Sequence, residues 1–328
     1  MKIDYDSNSK EGKGGEEKNK KKIKIGFIGQ GWIGKNYADN FEKRGYQVIR
    51  YGLEEPYKKN GDNIKECDIV FIAVPTPTTP QGFDDSILKQ AIQLVGDSKI
   101  AVIKSTILPG TTESIQKENP KVYVMHSPEF LTEARAAYDA AYPQRNIIGL
   151  PVVSDEYRKK AEEVLAVLPK APYKLICRAQ EAELIKYGGN CWFYFKVIFF
   201  NLLYDLAEKL GLDYDVIKEA MAADPRIGSS HLQPIHSSRN KTNKEKLNYN
   251  DFHFEPIHKT GRGAGGHCFI KDFAAFSEMY KKYIGDEIGI KVLESLRDKN
   301  IDLLVKSNKD LDLLTGVYGD EIIIIKDN

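Results

Sequence analysis

The sequence predicts an α/β protein: a Rossmann doubly wound sheet followed by a mostly α-helical central domain with one long helix. Three observations predict it. Short apolar runs alternate with helical patterns from Ile23 to Leu150. A glycine loop, Gly29-Gln30-Gly31-Trp32-Ile33-Gly34, stands between the first such run and the first helical pattern. From Gln180 to Leu210 a single helical pattern runs unbroken and is apolar around most of its circumference. Strands separated by helices imply right-handed βαβ units and a parallel sheet covered on both faces.

The elements follow in order. Residues 1–22 are Lys, Glu, Gly, Asp, Ser and Asn with almost nothing apolar, and they predict a disordered tail. The tail has no apolar signal-peptide core, and Lys20-Lys21-Lys22 reads as a solvated lead-in to the first strand. Residues 23–178 form the predicted dinucleotide-binding domain. Its strands are expected at Ile23–Ile28, Gln47–Tyr51, Cys67–Val74, Ile100–Ser105, Val122–Met125 and Asn146–Leu150. Helices are expected at Gly34–Arg44, Asp85–Val95 and Thr111–Glu118. Residues 179–310 form the predicted helical substrate domain, with helices at Gln180–Leu210, Tyr214–Ala223, Asp272–Tyr283 and Gly285–Val305. Within it, 229–260 is polar and reads as an inserted surface loop. Residues 311–328 read as a remnant tail, ending in the strand-like run Glu321–Lys326.

Composition narrows the function classes. The 328 residues are 41% hydrophobic, enough for two domains. Lys+Arg is 48 against Asp+Glu 47, so no global basic field exists to hold nucleic acid or an anionic membrane. The most apolar stretch, Cys191 to Leu206, is shorter than a membrane span and contains Lys196, Asn201 and Asp205. Cys67, Cys177, Cys191 and Cys268 are widely spaced, and the six histidines form no ligand pattern with them. These features predict a cytoplasmic protein with no structural metal.

The glycine loop carries the first chemistry. The first glycine allows a tight turn, the second a close approach of backbone to pyrophosphate, and the third close packing of helix on strand. The helix N-terminus adds free N–H groups and a positive dipole. In this strand–loop–helix setting Gly29, Gly31 and Gly34 predict dinucleotide binding, with Trp32 and Ile33 beside the cofactor. An acid is expected at the end of the second strand to meet the ribose 2′-hydroxyl, but Gly52 stands there. Glu54 or Glu55 could substitute for it, whereas Arg50 would favour a 2′-phosphate. NAD is the expected cofactor.

A second cluster is Gly263-Ala264-Gly265-Gly266-His267-Cys268-Phe269-Ile270-Lys271-Asp272. Glycines let the backbone wrap a ligand closely. Cys268 at a helix start, with Lys271 one turn on, predicts a lowered thiol pKa and a nucleophile. Lys104 to Thr111 (KSTILPGT) and His126 to Glu133 (HSPEFLTE) follow strands and fall at the same sheet edge. Lys186 and Asn190 are four apart, hence on one helix face.

These stretches, with FIAVPTPT (Phe71–Thr78), AELIKYGGN (Ala182–Asn190) and DPRIG (Asp224–Gly228), resemble the UDP-glucose/GDP-mannose dehydrogenase family in content and order. The resemblance spans Ile23 to about Tyr283. It implies oxidation of a nucleotide-sugar C6 alcohol to the uronic acid with two NAD, in a homodimer built on the long helix. It implies that Cys268 is the nucleophile, passing through a thiohemiacetal and a thioester. Lys186 and Asn190 would stabilise the oxyanion and position water, and Asp272 would support Lys186. Thr106 and Glu129 would position water for proton transfer and hydrolysis. Thr76, Thr106, Glu133 and Lys271 would join the glycine loop around the cofactor. Glu129, Phe130, Leu131, Lys186, Asn190 and Gly265 would hold the sugar nucleotide.

Three departures stand out. The family continues into a third, nucleotide-binding domain where this sequence ends. The stretch between DPRIG and the cysteine loop is long. His267 replaces a usual serine, and Gly188-Gly189 interrupts the long helix. Two other readings share the motifs in part: a single-step hydroxyacid-type dehydrogenase, which has no use for Cys268, and a non-catalytic dinucleotide-binding paralogue.

Overall fold

The computed structural model describes residues 23–132, 135–237 and 260–324. The expectations for residues 1–22, for Glu133 and for the interior of the 229–260 insertion lie outside the described residues. Strand β1 (Lys24–Ile28) leads through the glycine loop into α1 (Trp32–Lys43) and then β2 (Gln47–Tyr51). A 3-10 turn (Lys58–Asn60) and the short α2 (Gly61–Ile64) precede β3 (Ile69–Ile72). A small hairpin, β4 (Thr78–Thr79) and β5 (Gly82–Phe83), comes before α3 (Ser86–Ile92) and β6 (Ile100–Ile103). Next come α4 (Thr111–Glu118), β7 (Tyr123–His126), α5 (Ala136–Ala141) and β8 (Arg145–Leu150). The half closes with α6 (Asp155–Val167) and β9 (Tyr173–Arg178).

These strands make one seven-stranded sheet, ordered β2-β1-β3-β6-β7-β8-β9. It is parallel from β2 to β7, and β8 and β9 run together in the opposite sense. The unbroken apolar runs are explained by burial on both faces. Ile25, Phe27, Ile69, Phe71, Ile100 and Val102 enter one core, while Ile28, Val70, Ile72, Ala101 and Ile103 enter the other. The chain passes from β1 to β2 on one side and returns to β3 on the other. That reversal opens a crevice at the strands' C-terminal edge, where ligands bind in open α/β sheets.

The second half is helical. Helix α7 (Ala179–Leu210) is 32 residues long. It starts at a capping box between Arg178 and Glu181 and ends at Gly211 in a left-handed conformation. After it come α8 (Tyr214–Ala222), the paired strands β10 (His236–Ser237) and β11 (Thr260–Gly261), and α9 (Gly266–Tyr283). Then follow α10 (Glu287–Ser307), α11 (Leu311–Tyr318) and α12 (Glu321–Ile324).

The EIIIIK run corrects a sequence expectation: Glu321–Ile324 is helical, not a strand. A lone strand leaves its backbone N–H and C=O groups unpaired, whereas a helical turn pairs them internally. Residues 311–322 are also packed rather than trailing. Leu314 is buried with Ile270, Ile301 and Leu304, and Tyr318 and Ile322 lie against that cluster.

One buried carboxylate joins the two halves. Glu183, on α7, accepts from Gly110 N at 2.7 Å, Thr112 N at 2.9 Å and Thr112 Oγ1 at 2.5 Å. It thereby fills the N-terminus of α4. Burial raises its pKa, and the bonds from Thr112 and Gly110 oppose that rise.

Candidate functional site

The glycine loop has the geometry a pyrophosphate needs. Gly29 has φ +88°, and a Cβ on it would lie 2.2 Å from the Ala73 carbonyl oxygen. A Cβ on Gly34 would lie 1.9 Å from Gly29 O. No other residue fits either place. Around Gly31 there is nothing within 4 Å of a would-be Cβ, so open space faces the backbone there. Gly31 is also the N-cap of α1, with no side-chain cap and no acid in the first turn, so the helix N–H groups remain available to an anion. The residues present fit a dinucleotide.

Arg50 does not remain free for a 2′-phosphate. It is buried, and its guanidinium binds Asp39 Oδ1 at 2.7 Å and the two oxygens of Glu42 at 2.9 and 2.6 Å. Both acids come from α1, so Arg50 clamps β2 to that helix.

At the C-terminal edge of β3 and β6 the chain crosslinks itself. Ser105 Oγ bonds Val74 O at 2.6 Å and accepts from Val74 N at 3.0 Å. Thr76 Oγ1 donates to Thr106 O at 2.7 Å. Thr76 and Thr106 are thereby held side by side next to the glycine loop's strand. Beyond β7, the Glu129 carboxylate is buried. Its Oε2 accepts from Leu131 N at 2.7 Å, and its Oε1 accepts from Lys186 Nζ at 2.7 Å. Burial works against the Lys186 charge. Glu129, Cys268 and Asp272 outweigh it and hold the ammonium above its ordinary pKa.

Asp272 stands on the other side of this group, almost fully buried. It accepts from Asn190 Nδ2 at 2.5 Å and from Lys271 Nζ at 2.5 Å. The hydrogen-bond partner of Lys186 is thus Glu129, and Asp272 acts on Lys186 through charge. Cys268 is the third residue of α9 and opens to solvent on one side, although protein crowds it on the others. The expected low thiol pKa is corrected. Desolvation and the Asp272 carboxylate push the thiol up to about 11, against the pull of Lys186 and Lys271. The Lys271 ammonium is spent on Asp272, and this pairing weakens the effect expected of it.

The cysteine loop is fastened by side chains that sequence reasoning did not single out. Asn300 accepts from Ala264 N at 2.6 Å and donates to Ala264 O at 3.0 Å. Arg262 N donates to Ser307 Oγ at 2.9 Å, Lys309 Nζ donates to Gly263 O at 3.0 Å, and Gly266 N donates to Asp310 Oδ2 at 2.8 Å. All these partners lie on or just past α10. An Asn in a helix interior is the one signal that could have found Asn300, since Asn is a weak helix former there without a partner.

Two more residues were given no role from the sequence. Lys104 is buried, donates to Ser127 O and Oγ at 3.2 and 3.1 Å, and lies 4.5 Å from the Tyr37 ring centre. Burial lowers its ammonium to about 8, with Glu129 opposing the shift. Arg145 at the start of β8 lies 3.7 Å from the Phe130 ring centre, fixing that ring below the Glu129 turn. Gly265 is the N-cap of α9.

Residues 56–167 match the NAD binding domain of the UDP-glucose/GDP-mannose dehydrogenase family, and residues 180–237 match that family's central domain. Together the two stretches take in just over half of the chain. The chain belongs to this family. Its cofactor is NAD. The matched stretches contain Thr76, Thr106, Glu129, Lys186 and Asn190; the glycine loop and Cys268 lie outside them.

The chain is similar to the UDP-glucose 6-dehydrogenase of Bacillus subtilis (strain 168), at 28% identity over 84% of this chain and 58% of the relative. It resembles the structure of a UDP-glucose dehydrogenase from Pyrobaculum islandicum, with TM-score 0.68 and 25% identity over 89% of this chain and 72% of that one. A Mycobacterium tuberculosis 3-hydroxyisobutyrate dehydrogenase shares the fold at TM-score 0.60 over 93% of this chain and 99% of that one, but at 13% identity. The chain spans about half the length of the curated relatives it matches. No helix among the described residues is long and apolar enough to cross a membrane.

Proposed function

We propose that this protein oxidises the C6 alcohol of a nucleotide sugar to the uronic acid, through a covalent adduct on Cys268. The observation that carries the reading is the convergence of a thiol, an ammonium and two carboxylates from three parts of the chain. Cys268 and Asp272 come from α9, Lys186 and Asn190 from α7, and Glu129 from the turn after β7. A single-step alcohol dehydrogenase has no use for the thiol.

When bound, NAD accepts one hydride in each of two oxidations. The protein's part lies in holding the carbon between them. Cys268 Sγ adds to the aldehyde carbon, and the thiol proton ends on the oxygen of the thiohemiacetal. The Lys186 ammonium and the Asn190 amide stabilise the negative charge that develops on that oxygen. Loss of the second hydride and the hydroxyl proton leaves a thioester. Water positioned near Thr106 and Glu129 adds to it, and the C–S bond breaks to return the thiol and release the acid. Glu129 and Asp272 offset the buried Lys186 charge, so it remains an ammonium throughout. The turn after β7, with Phe130 and Leu131, and the backbone at Gly265 border the sugar-nucleotide side. Lys271 is assigned to the cofactor by the family resemblance.

The reading extends to a homodimer through α7 and to a cytoplasmic setting. It is supported there by the apolar outer face of that helix and by the four unpaired cysteines. The test is NADH production from a panel of nucleotide sugars. Wild type should release two NADH per acid formed. Cys268→Ala should lower acid formation by at least about 1,000-fold while binding NAD as before. Undiminished turnover by Cys268→Ala would sink the covalent route and favour a hydroxyacid-type dehydrogenase.

A further inference from the structure

The position at the end of β2 where an adenosine ribose ordinarily meets a carboxylate holds Gly52 in this chain. Strand β2 ends at Tyr51, whose carbonyl accepts from Gly29 N at 2.9 Å, and the next residue is Gly52. The space beside Gly52 is taken by the side chain of Gln30. A Cβ on Gly52 would lie 3.4 Å from Gln30 Cγ and 3.5 Å from Gln30 Cβ.

The Gln30 amide has a fixed sense. Its Nε2 lies 3.2 Å from Phe27 O and 3.2 Å from Gly29 O, and donates to both. Two carbonyl oxygens can only accept, so the nitrogen must face them and the oxygen must face away. That oxygen, Oε1, is buried and has no hydrogen-bond partner. A buried acceptor left unpaired is costly until a donor reaches it.

We infer that Gln30 Oε1 accepts the 2′-hydroxyl of the adenosine ribose of NAD, the Gln30 side chain filling the space that a side chain at Gly52 would otherwise reach. The inference rests on the NAD reading of the glycine loop and names what does the work of the absent acid. A neutral amide does not repel a 2′-phosphate by charge. It discriminates because its locked orientation sets an acceptor against phosphate oxygens, which also only accept. Arg50 gives a 2′-phosphate no help, since Asp39 and Glu42 saturate it.

The experiment is calorimetric binding to the full chain of NAD+, its analogue lacking the adenosine 2′-hydroxyl, and NADP+. Wild type should bind NAD+ about 10-fold more tightly than either of the others. Gln30→Leu should weaken NAD+ about 10-fold and leave the deoxy analogue unchanged, so the ratio collapses toward one. Adding Gly52→Asp to Gln30→Leu restores an acceptor from the usual place, and the ratio should return. Thermal melts of each variant report that it is folded. If Gln30→Leu weakens NAD+ and the deoxy analogue by the same factor, or if wild type binds NADP+ as tightly as NAD+, the inference is overturned while dinucleotide binding stands. If wild type binds none of the three, the reading of the loop falls with it.

Discussion

Asp272 sets the resting state of the thiol. Its carboxylate, together with desolvation, keeps Cys268 protonated at neutral pH. Asp272→Asn removes the raising charge and leaves Lys186 and Lys271, which lower the thiol pKa. The alkylation rate of Cys268 by iodoacetamide should then titrate with a midpoint clearly below the wild-type value of about 11. An unchanged midpoint would contradict this account of the site. His126 is a second residue with a clear pH consequence. It is fully buried, neither ring nitrogen has a hydrogen-bond partner, and burial, then Lys104, push it down to about 3. A folded pKa below the unfolded one means stability is present above about 6.5 and is lost as pH falls toward 3. The slope is at most about 1.4 kcal/mol per pH unit. His126→Leu should therefore lose less melting temperature between pH 7.5 and pH 5 than wild type does. Cys268, Lys186 and Asn190 could be picked out from residue type and spacing. The thiol's raised pKa could not, because it depends first on desolvation and then on the Asp272 carboxylate, and desolvation is set only by the folded chain.

At the scale of elements, the sequence signals strands and helices where their burial is continuous. The runs at 69–72 and 100–103 feed both cores at once, so they read as apolar without interruption. Strand β9 escaped notice because it lies at the sheet edge with its residues half-buried or exposed. Helix α6 escaped because its face toward the sheet is only Ala161, Val164 and Val167 in a charged sequence. Helix α9 begins six residues before Asp272, where the regular helical period starts, because glycines open it and hide the period. The cysteine loop makes the clearest prediction at this scale. Asn300 satisfies both backbone groups of the buried Ala264. Asn300→Leu leaves that N–H and C=O unpaired and should cost about 2–4 kcal/mol in denaturant unfolding. Cys268 should become more quickly alkylated at fixed pH as its loop loosens. A loss under about 0.5 kcal/mol would mean the loop is held by other contacts.

At the scale of the whole molecule, α7 has two faces. One is buried and carries Lys186, Tyr187, Tyr194 and Val197. The other exposes Leu184, Trp192, Phe199, Leu202, Leu206 and Leu210, each about half-exposed. Their spacings of eight, seven, three, four and four residues keep them on one helix face and make one apolar stripe, larger than scattered surface residues explain. Gly188 falls in this stripe, between Leu184 and Trp192, and neither it nor Gly189 has any atom within 4 Å of a would-be Cβ. Nothing among the described residues calls for glycine there; a second helix crossing closely at that point would. Light scattering should report a dimer, and Trp192→Glu with Phe199→Glu should convert it to a folded monomer. A monomeric wild type would refute the assembly. The sequence's apolar circumference predicted burial on several sides, and the single chain accounts for only part of it.

The fastening of the cysteine loop makes the chain beyond α10 a handle on the reactive sulfur. Asp310 holds Gly266 N, two residues from Cys268, and the next residue begins α11, which packs on α9 and reaches the β4–β5 hairpin. A shift of α11 would carry Cys268 with it, through that hydrogen bond and through the packing of α11 on α9. Under the proposed function, the segment after residue 310 would bear on the position of the thiol without touching substrate or cofactor.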